Sequence, residues 1–242
     1  MSLCFFLPGR FARQSTLLGR QGELMNSNVN LAAPIGALAL LGTAFILFAA
    51  TIFLVQSLIV RKMGRARLAL ALMLIVGVVY LGAMLVFSFA SRDKLLAQGQ
   101  EKHFCELDCH LAYSIANVAQ AKTIGEDASL VRAQGQFTII TIKTRFDETT
   151  IASWRGSGLL SPNDRAFVLV DERGRRYAPS AQAGTPITTP LRPGESYTTD
   201  VAFDLPQDAK PAVLVLNESA WETHLLIGHE NSLLHGKAKF QI

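Results

Sequence analysis

The sequence predicts two transmembrane α-helices that form a hairpin, followed by an all-β, immunoglobulin-like antiparallel sandwich. Two long uncharged segments lie within the first 90 residues, and the later part of the chain carries short β-branched segments separated by Gly and Pro. Only 17% of the 242 residues are charged, and the mean hydropathy is +0.27. Ordinary soluble domains carry about a quarter charged residues. The composition therefore argues against a wholly soluble chain and against a disordered one.

The N-terminal tail, residues 1–32, carries three arginines and one acidic residue. An external N-terminus would require these arginines to cross the membrane, which is costly. Two interpretations stay open. Either translation starts at Met25 and residues 1–24 are not translated, or residues 1–24 form a disordered tail.

Residues 35–60 form an uncharged run of 26 residues, and residues 68–90 form a second run of 23. At about 1.5 Å per residue, each run is long enough to cross a bilayer core of about 30 Å. Each is also longer than the apolar region of a signal peptide. Neither run contains Asp, Glu, Lys, Arg or His, so we expect these transmembrane helices to anchor the chain rather than to carry ions or protons.

The predicted cytoplasmic loop, residues 61–67, reads RKMGRAR and carries four positive charges. Short cationic loops stay on the cytoplasmic side of a membrane, so both ends of the chain should lie outside. The predicted location is the bacterial cytoplasmic (inner) membrane, as a multi-pass protein. The lipid bilayer is then one partner, and the C-terminal domain is extracytoplasmic, in the periplasm.

Positive charge is confined to the membrane end of the chain. Residues 1–90 carry a net charge of +6, whereas residues 91–242 carry −2. The isoelectric point of about 9.1 is therefore a property of the membrane-proximal part. A nucleic-acid-binding domain needs a basic face, so we expect no nucleic-acid partner.

Residues 91–134 are predicted to be a juxtamembrane segment that begins as a helix, because Leu, Ala, Glu and Lys favour helix there. Four apolar residues fall at the helical spacing i, i+3, i+7 and i+11, namely Phe104, Leu107, Leu111 and Ile115. We expect this stripe to pack on the sandwich and to hold the membrane anchor at a fixed angle to it.

Residues 135–242 are predicted to form the extracytoplasmic β-sandwich. QFTIITIKTRF alternates, and AFVLVDERGRRYAPS has the pattern of two strands around a turn at Glu172–Gly174. YTTDVAFDLP, AVLVLNE and AKFQI supply three more strands. The Pro-, Ser- and Thr-rich stretch 178–196 is predicted to be a long loop.

Three of these runs, FVLVDERGRRYAPS, LRPGESYTTDVAFDLP and AVLVLNE, resemble the telokinin-like, immunoglobulin-type domain of bacterial surface and membrane-anchored proteins. The shared features are a Gly-x-x-Tyr strand end, a Leu-x-Pro-Gly-Glu turn and a strand ending in Phe-Asp-x-Pro, and they span about residues 135–218. The resemblance implies an extracytoplasmic sandwich without catalytic residues. Since the sequence also lacks Gly-x-Ser-x-Gly, HExxH and a Gly-rich phosphate loop, we expect it not to be an enzyme.

The run HFCELDCH, residues 103–110, leaves several interpretations open. Cys105 and Cys109 are four residues apart and could form a disulfide in an oxidising compartment. They could instead ligate copper or zinc together with imidazoles, because thiolate and imidazole suit both metals. The candidate ligands are His103, Cys105, Cys109, His110, His229 and His235. Covalent haem attachment and two free thiols are the other interpretations.

The architecture also resembles subunit II of haem-copper oxidases, which has two spans and an external β-domain with cysteines four residues apart. That resemblance implies copper, but here the cysteine pair comes first in the domain and no Met follows Met84. We therefore expect no cofactor, with copper as the alternative. The predicted function is a protein-binding or complex-assembly module with a protein partner in a membrane complex. The alternative is a copper-binding or electron-transfer accessory protein.

Overall fold

The computed structural model describes residues 32–105, 110–125, 131–151 and 155–242. Within these residues it contains two long apolar helices followed by two five-stranded sheets. The predicted fold class, a helical hairpin followed by an antiparallel sandwich, is confirmed.

The two helices are α1 (Ala32–Ile59) and α2 (Met63–Ala90). They pack against each other, and few other residues of the chain contact them. Only 6% of the most apolar stretch of each helix is buried, and Phe45 and Phe89 are each 72% exposed. A helix that is apolar on every face and not covered by protein needs a lipid environment. Both helices are long and apolar enough to cross a membrane, and the chain is membrane-anchored.

The connection between the helices is shorter than predicted. The loop expected at residues 61–67 is reduced to Val60–Lys62, because α2 already begins at Met63. Arg61 makes the turn with a positive φ of 53°. Arg, Ala and Met are good helix formers, so the helix continues beyond the apolar run into its cationic end. Hydropathy defines the part that lipid can cover, not the ends of the helix.

Ten strands follow α2. They are β1 (Lys94–Leu96), β2 (Lys102–Cys105), β3 (His110–Ile124), β4 (Val131–Asp147), β5 (Arg165–Asp171), β6 (Arg176–Tyr177), β7 (Ala181–Gly184), β8 (Ser196–Leu205), β9 (Pro211–Glu218) and β10 (Ala238–Gln241). One sheet has the order β1-β10-β9-β5-β6, and the other has the order β2-β3-β4-β8-β7. Every described strand pair is antiparallel except β1 with β10, which is parallel.

The predicted juxtamembrane helix is wrong. Residues in 91–134 form β1, β2, β3 and the start of β4, so the sandwich begins at Lys94 rather than at 135. Phe104, Leu111 and Ile115 belong to strands, and each is at most 2% exposed. Leu107 lies outside the described residues. Long-range pairing of β3 with β4 outweighs the local helix propensity. This pairing runs from His110↔Asp147 to Ile124↔Val131.

The strands predicted after residue 135 are present as β4, β5, β6, β8, β9 and β10. The turn expected at Glu172–Gly174 is present, with Gly174 at φ 78°. A short strand, β7, lies within the stretch 178–196 that was predicted to be a loop, and it pairs with β8.

The core fills the space between the two sheets. Its fully buried members come from alternate positions of facing strands, including Tyr113, Phe146, Phe203, Leu169, Leu214 and Phe240. This alternation is the period that two half-buried antiparallel sheets require. The functional candidates lie around the margins of this core.

Candidate functional site

The predicted cysteine pair lies at the turn between β2 and β3. Cys105 is the last residue of β2, and its register partner across the hairpin is His110. Cys109 lies outside the described residues, as do residues 106–108. The disulfide between Cys105 and Cys109, and the alternatives to it, therefore stay predictions.

His103 lies in a charged cluster at the same end of the second sheet. Its Nε2 atom is 3.3 Å from an Asp147 carboxylate oxygen and 3.6 Å from a Glu101 carboxylate oxygen. Arg145 forms a bidentate ion pair with Glu101, with N···O distances of 2.7 and 2.8 Å. These hydrogen bonds from Arg145 hold the pKa of Glu101 below its usual range. His103 is thus one member of an ion-pair network.

The two distal histidines of the predicted ligand set have other neighbours. His229 accepts a hydrogen bond from the backbone N–H of Asn231 at 3.0 Å through Nδ1, and its Nε2 lies 3.6 Å from Glu218. The Nδ1 atom of His235 is 2.7 Å from the carbonyl oxygen of Gly236. Within the described ranges, no group of three or more His, Cys, Asp or Glu side chains could hold a metal ion.

A buried ion pair, which the sequence analysis missed, joins β2 to the loop before β10. Lys102 Nζ lies 2.7 Å from Glu230, and the two side chains are 1% and 4% exposed. Lys102 also donates to the carbonyls of Leu216 and Ala238 at 2.5 and 3.1 Å. Burial lowers the pKa of Lys102, and the negative charge of Glu230 opposes that effect. The only signal in the sequence is that Lys102 shares a strand face with Phe104.

A short junction connects α2 to the sandwich. Only residues 91–93 separate the end of α2 from β1, and β1 pairs directly with β10. The backbone N–H of Gly236 donates to Ser91 Oγ at 2.7 Å, and the carboxylate of Asp93 accepts from the backbone N–H of Lys237 at 2.8 Å. Asp93 also forms an ion pair with Lys239. A side chain at Gly236 would collide with the backbone of Arg92, so glycine allows this close approach.

The second sheet has an open edge along β3. The short strand β2 covers β3 only from His110 to Tyr113. Gly99 and Gln98 then donate to the carbonyls of Ile115 and Ala116 at 3.1 and 3.0 Å. From Asn117 to Ile124, no strand of the described part of the chain pairs with β3 on the side away from β4. We call residues 117–124 the open edge.

No family model and no curated protein matches the chain, so the telokinin-like resemblance stays a prediction. Among solved structures, the chain is similar to the secreted protein MPT63 of Mycobacterium tuberculosis, known from a 1.5 Å crystal structure. The two are 14% identical with a TM-score of 0.41, and the match covers 62% of this chain and 98% of MPT63.

Proposed function

We propose that the chain is a membrane-anchored, extracytoplasmic module that binds a partner protein by adding one of the partner's strands to the open edge of β3. The observation that carries the proposal is the eight-residue run from Asn117 to Ile124, which has a β-strand neighbour on one side only within the described residues. An unpaired strand edge exposes a row of backbone donors and acceptors, and a partner strand satisfies them.

The middle of the open edge is regular enough to receive a strand. Residues 117–121 pair one for one with Thr141–Phe137 of β4, between two register shifts. Five extended residues span about 17 Å, which is the length of an ordinary strand. Asn117, Ala119 and Gln120 are exposed and carry no charge, and the exposed charge of the open edge, Lys122, lies just beyond this stretch. The two register shifts limit the docking length to this central stretch.

The junction gives the open edge a fixed relation to the membrane. Three residues link α2 to β1, and the pairing of β1 with β10 then places the first sheet directly after the helix. A module on a long flexible linker would sample many heights above the membrane. A short, hydrogen-bonded junction suits a part that takes a defined position within a membrane complex.

The proposed topology follows from charge. The helix ends that meet at Val60–Lys62 carry Arg61, Lys62, Arg65 and Arg67, whereas the junction end leads directly into the sandwich. The positive-inside rule assigns the cationic end to the cytoplasm. The sandwich and the N-terminus then lie outside a bacterial cytoplasmic membrane that the chain crosses twice.

Photo-crosslinking in native membranes tests the proposed docking edge. A photoreactive amino acid replaces Ala119 on the open edge in one variant and Ala183 on β7, the opposite edge of the same sheet, in the control. Both alanines are exposed edge residues, so the two variants differ in location and not in residue type. We expect one product of defined mass from the Ala119 variant and none from the Ala183 variant.

The register of the crosslinks makes the test specific. Moving the probe from 117 to 119 and then to 121 should move the crosslinked position on the partner by two residues at each step, because strand pairing is periodic. Equal yields at Ala119 and Ala183, or partner positions that do not advance in this way, would overturn the docking proposal.

A further inference from the structure

We propose that the loop Trp221–His235, which we call the outer loop, binds the outer leaflet of the lipid bilayer by inserting its apolar side chains beside the two helices. The inference rests on the proposed function only in that the helices are taken to cross a membrane. It adds a second lipid-contacting element, which the sequence alone does not mark as a membrane segment.

The outer loop touches both helices. The Tyr80 hydroxyl of α2 donates to the carbonyl oxygen of Leu225 at 2.6 Å. On α1, a side chain at Gly36 would collide with the carbonyl oxygen of Ile227, so the absence of a Cβ lets the helix approach the loop backbone. Gly36 lies near the start of α1 and Tyr80 in the second half of α2, and these are the parts nearest the sandwich in a hairpin. The outer loop therefore lies against the outer part of the helical pair.

The contact at Tyr80 lies below the membrane surface. Helix α2 has 28 residues and is about 42 Å long, whereas the hydrocarbon core is about 30 Å thick. At most about 12 Å of α2 can therefore extend beyond the core on the outer side. Tyr80 precedes the end of the helix at Ala90 by ten residues, or about 15 Å. Leu225 is held at that depth by the hydrogen bond.

Four of the six exposed side chains of the outer loop are large and apolar. Beyond the helical hairpin, after Ala90, seven large apolar side chains of the described residues are exposed, and four of them lie in this 15-residue loop. They are Trp221 at 66%, Leu225 at 42%, Leu233 at 59% and Leu234 at 62% exposed. Leu234 also has a positive φ of 61°, a conformation that is uncommon for Leu. Such a cluster is unfavourable in water and favourable in lipid.

Three consecutive polar side chains in the second half of the outer loop point inward instead. Glu230, Asn231 and Ser232 are 5%, 4% and 3% exposed. Glu230 pairs with Lys102, and Asn231 donates to the carbonyl of Glu218 at 3.0 Å and to the Thr223 hydroxyl at 2.8 Å. This distribution is the reverse of that of a water-exposed loop, and it satisfies polar groups where lipid cannot.

The charged and aromatic residues at the start of the loop fit the lipid–water boundary. Glu222 is exposed next to Trp221, and Trp is enriched at membrane interfaces because its ring is apolar and its N–H is polar. His224 is exposed and its Nδ1 lies 2.7 Å from the carbonyl oxygen of Asn231. Trp221 and Glu222 would lie at headgroup level, with Leu225, Leu233 and Leu234 among the acyl chains.

Lipid photo-crosslinking of the full chain tests the inference. The unmodified chain is placed in phosphatidylcholine nanodiscs whose lipids carry a diazirine in the acyl chain, and labelled peptides are identified by mass spectrometry. We expect label on the helices and on residues 221–235. The peptide around Val131 serves as the control, and it should stay unlabelled. Val131 is 53% exposed but begins β4, at the opposite end of that strand from the part that lies beside Lys102 and Glu230.

The outcomes separate this inference from the proposed function. Label on the helices without label on residues 221–235 would overturn the inference and leave membrane anchoring intact, whereas no label anywhere would overturn both. The double variant Leu233→Ser, Leu234→Asn adds a second measurement, because Asn tolerates the positive φ of position 234. It should reduce labelling of the outer loop several-fold while labelling of the helices stays unchanged, and unchanged loop labelling would contradict the inference.

Discussion

The helices and the sandwich place the same residue types in opposite surroundings. Phe45 on α1 is 72% exposed, whereas Phe203 on β8 is fully buried between the sheets. Burial of a phenylalanine away from water is worth about 1.5–3 kcal/mol, so a surface of exposed phenylalanines has to be covered by another apolar medium. The two regions therefore have different solvents: the sandwich folds in water and the helices fold in lipid.

Polar side chains also find their hydrogen-bond partners differently in the helices and in the sandwich. In the helices, the hydroxyls of Thr51 and Ser57 each donate at 2.7 Å to the carbonyl four residues earlier, so their bonds stay within one helix. In the sandwich, Lys102 reaches across the fold to Glu230, which is 128 positions later in the chain. Without water, the hydroxyls of Thr51 and Ser57 need a protein acceptor and find one within their own helix, whereas the packed domain satisfies Lys102 with a distant partner.

The largest expected effect comes from removing one phenylalanine from each region. Phe203→Ala should destabilise the sandwich by about 3–5 kcal/mol, because it leaves a cavity in the core. Phe45→Ala should change the stability of the sandwich by less than about 0.5 kcal/mol, because its ring contacts lipid instead. Thermal or denaturant unfolding in nanodiscs, followed by a probe on the sandwich, measures both. Equal losses would show that the helices and the sandwich share one core.

Two lysines of the sandwich form ion pairs that differ in burial. Lys102→Met leaves Glu230 buried without its partner and should cost about 3–5 kcal/mol. Lys239→Met removes a pair with Asp93 whose carboxylate is 54% exposed, and should cost at most about 1 kcal/mol. The double variant Lys102→Met, Glu230→Leu should recover much of the loss, because both charges are then gone. A Lys102→Met variant as stable as Lys239→Met would contradict the role given to the buried pair.

The cysteine pair gives a smaller expected effect. Cys105→Ser with Cys109→Ser should leave a folded, membrane-inserted chain that is about 1–2 kcal/mol less stable, because the closed loop is short. Metal analysis of the detergent-purified chain accompanies the unfolding measurement. Near-stoichiometric copper that is lost in the double variant would make the pair a ligand site, in favour of the copper-binding alternative.

The smallest effect is expected at the turn between β5 and β6. The carboxylate of Asp171 accepts hydrogen bonds from Arg175 at 2.7 and 2.8 Å and from the Tyr177 hydroxyl at 3.1 Å. Against the opposing effect of burial, these bonds lower the pKa of Asp171 to about 2. Since the pKa of an unfolded Asp is about 3.9, this stabilisation is complete above about pH 4 and is lost as the pH falls towards 2.

Asp171→Asn checks that pH dependence. The variant should be slightly less stable than the natural chain at pH 7, and its stability should fall less between pH 4 and pH 2. Acid titration of the unfolding free energy measures the difference. Parallel curves for the two chains would contradict the ionised, hydrogen-bonded Asp171.

The sequence predicted most of the fold because its strongest patterns are local. Uncharged runs longer than a bilayer core define α1 and α2, and alternation of apolar residues defines β4, β8 and β9. The segment 91–134 was predicted wrongly because its Leu, Ala, Glu and Lys content favours helix, whereas its pairing with β4 is a long-range interaction that no local pattern reports. The period-two alternation of Leu111, Tyr113 and Ile115 was the signal for β3.

The candidate sites were predicted less well for the same reason. The pair Lys102–Glu230 and the contact between Tyr80 and Leu225 join residues more than 100 positions apart. The open edge exists because β2 is four residues long while β3 has 15, and strand length relative to a neighbour is a property of the sheet. The histidines were visible in the sequence, but their separate surroundings were not.

A topology measurement shows on which side of the membrane the sandwich lies. A reporter protein that is active only in the cytoplasm is fused after Ile242, and as a matched control it is inserted between the helices at Lys62. We expect a silent reporter after Ile242 and an active one at Lys62, because the cationic end of the hairpin stays inside. An active reporter after Ile242 would contradict an extracytoplasmic sandwich, since the sandwich would then face the cytoplasm.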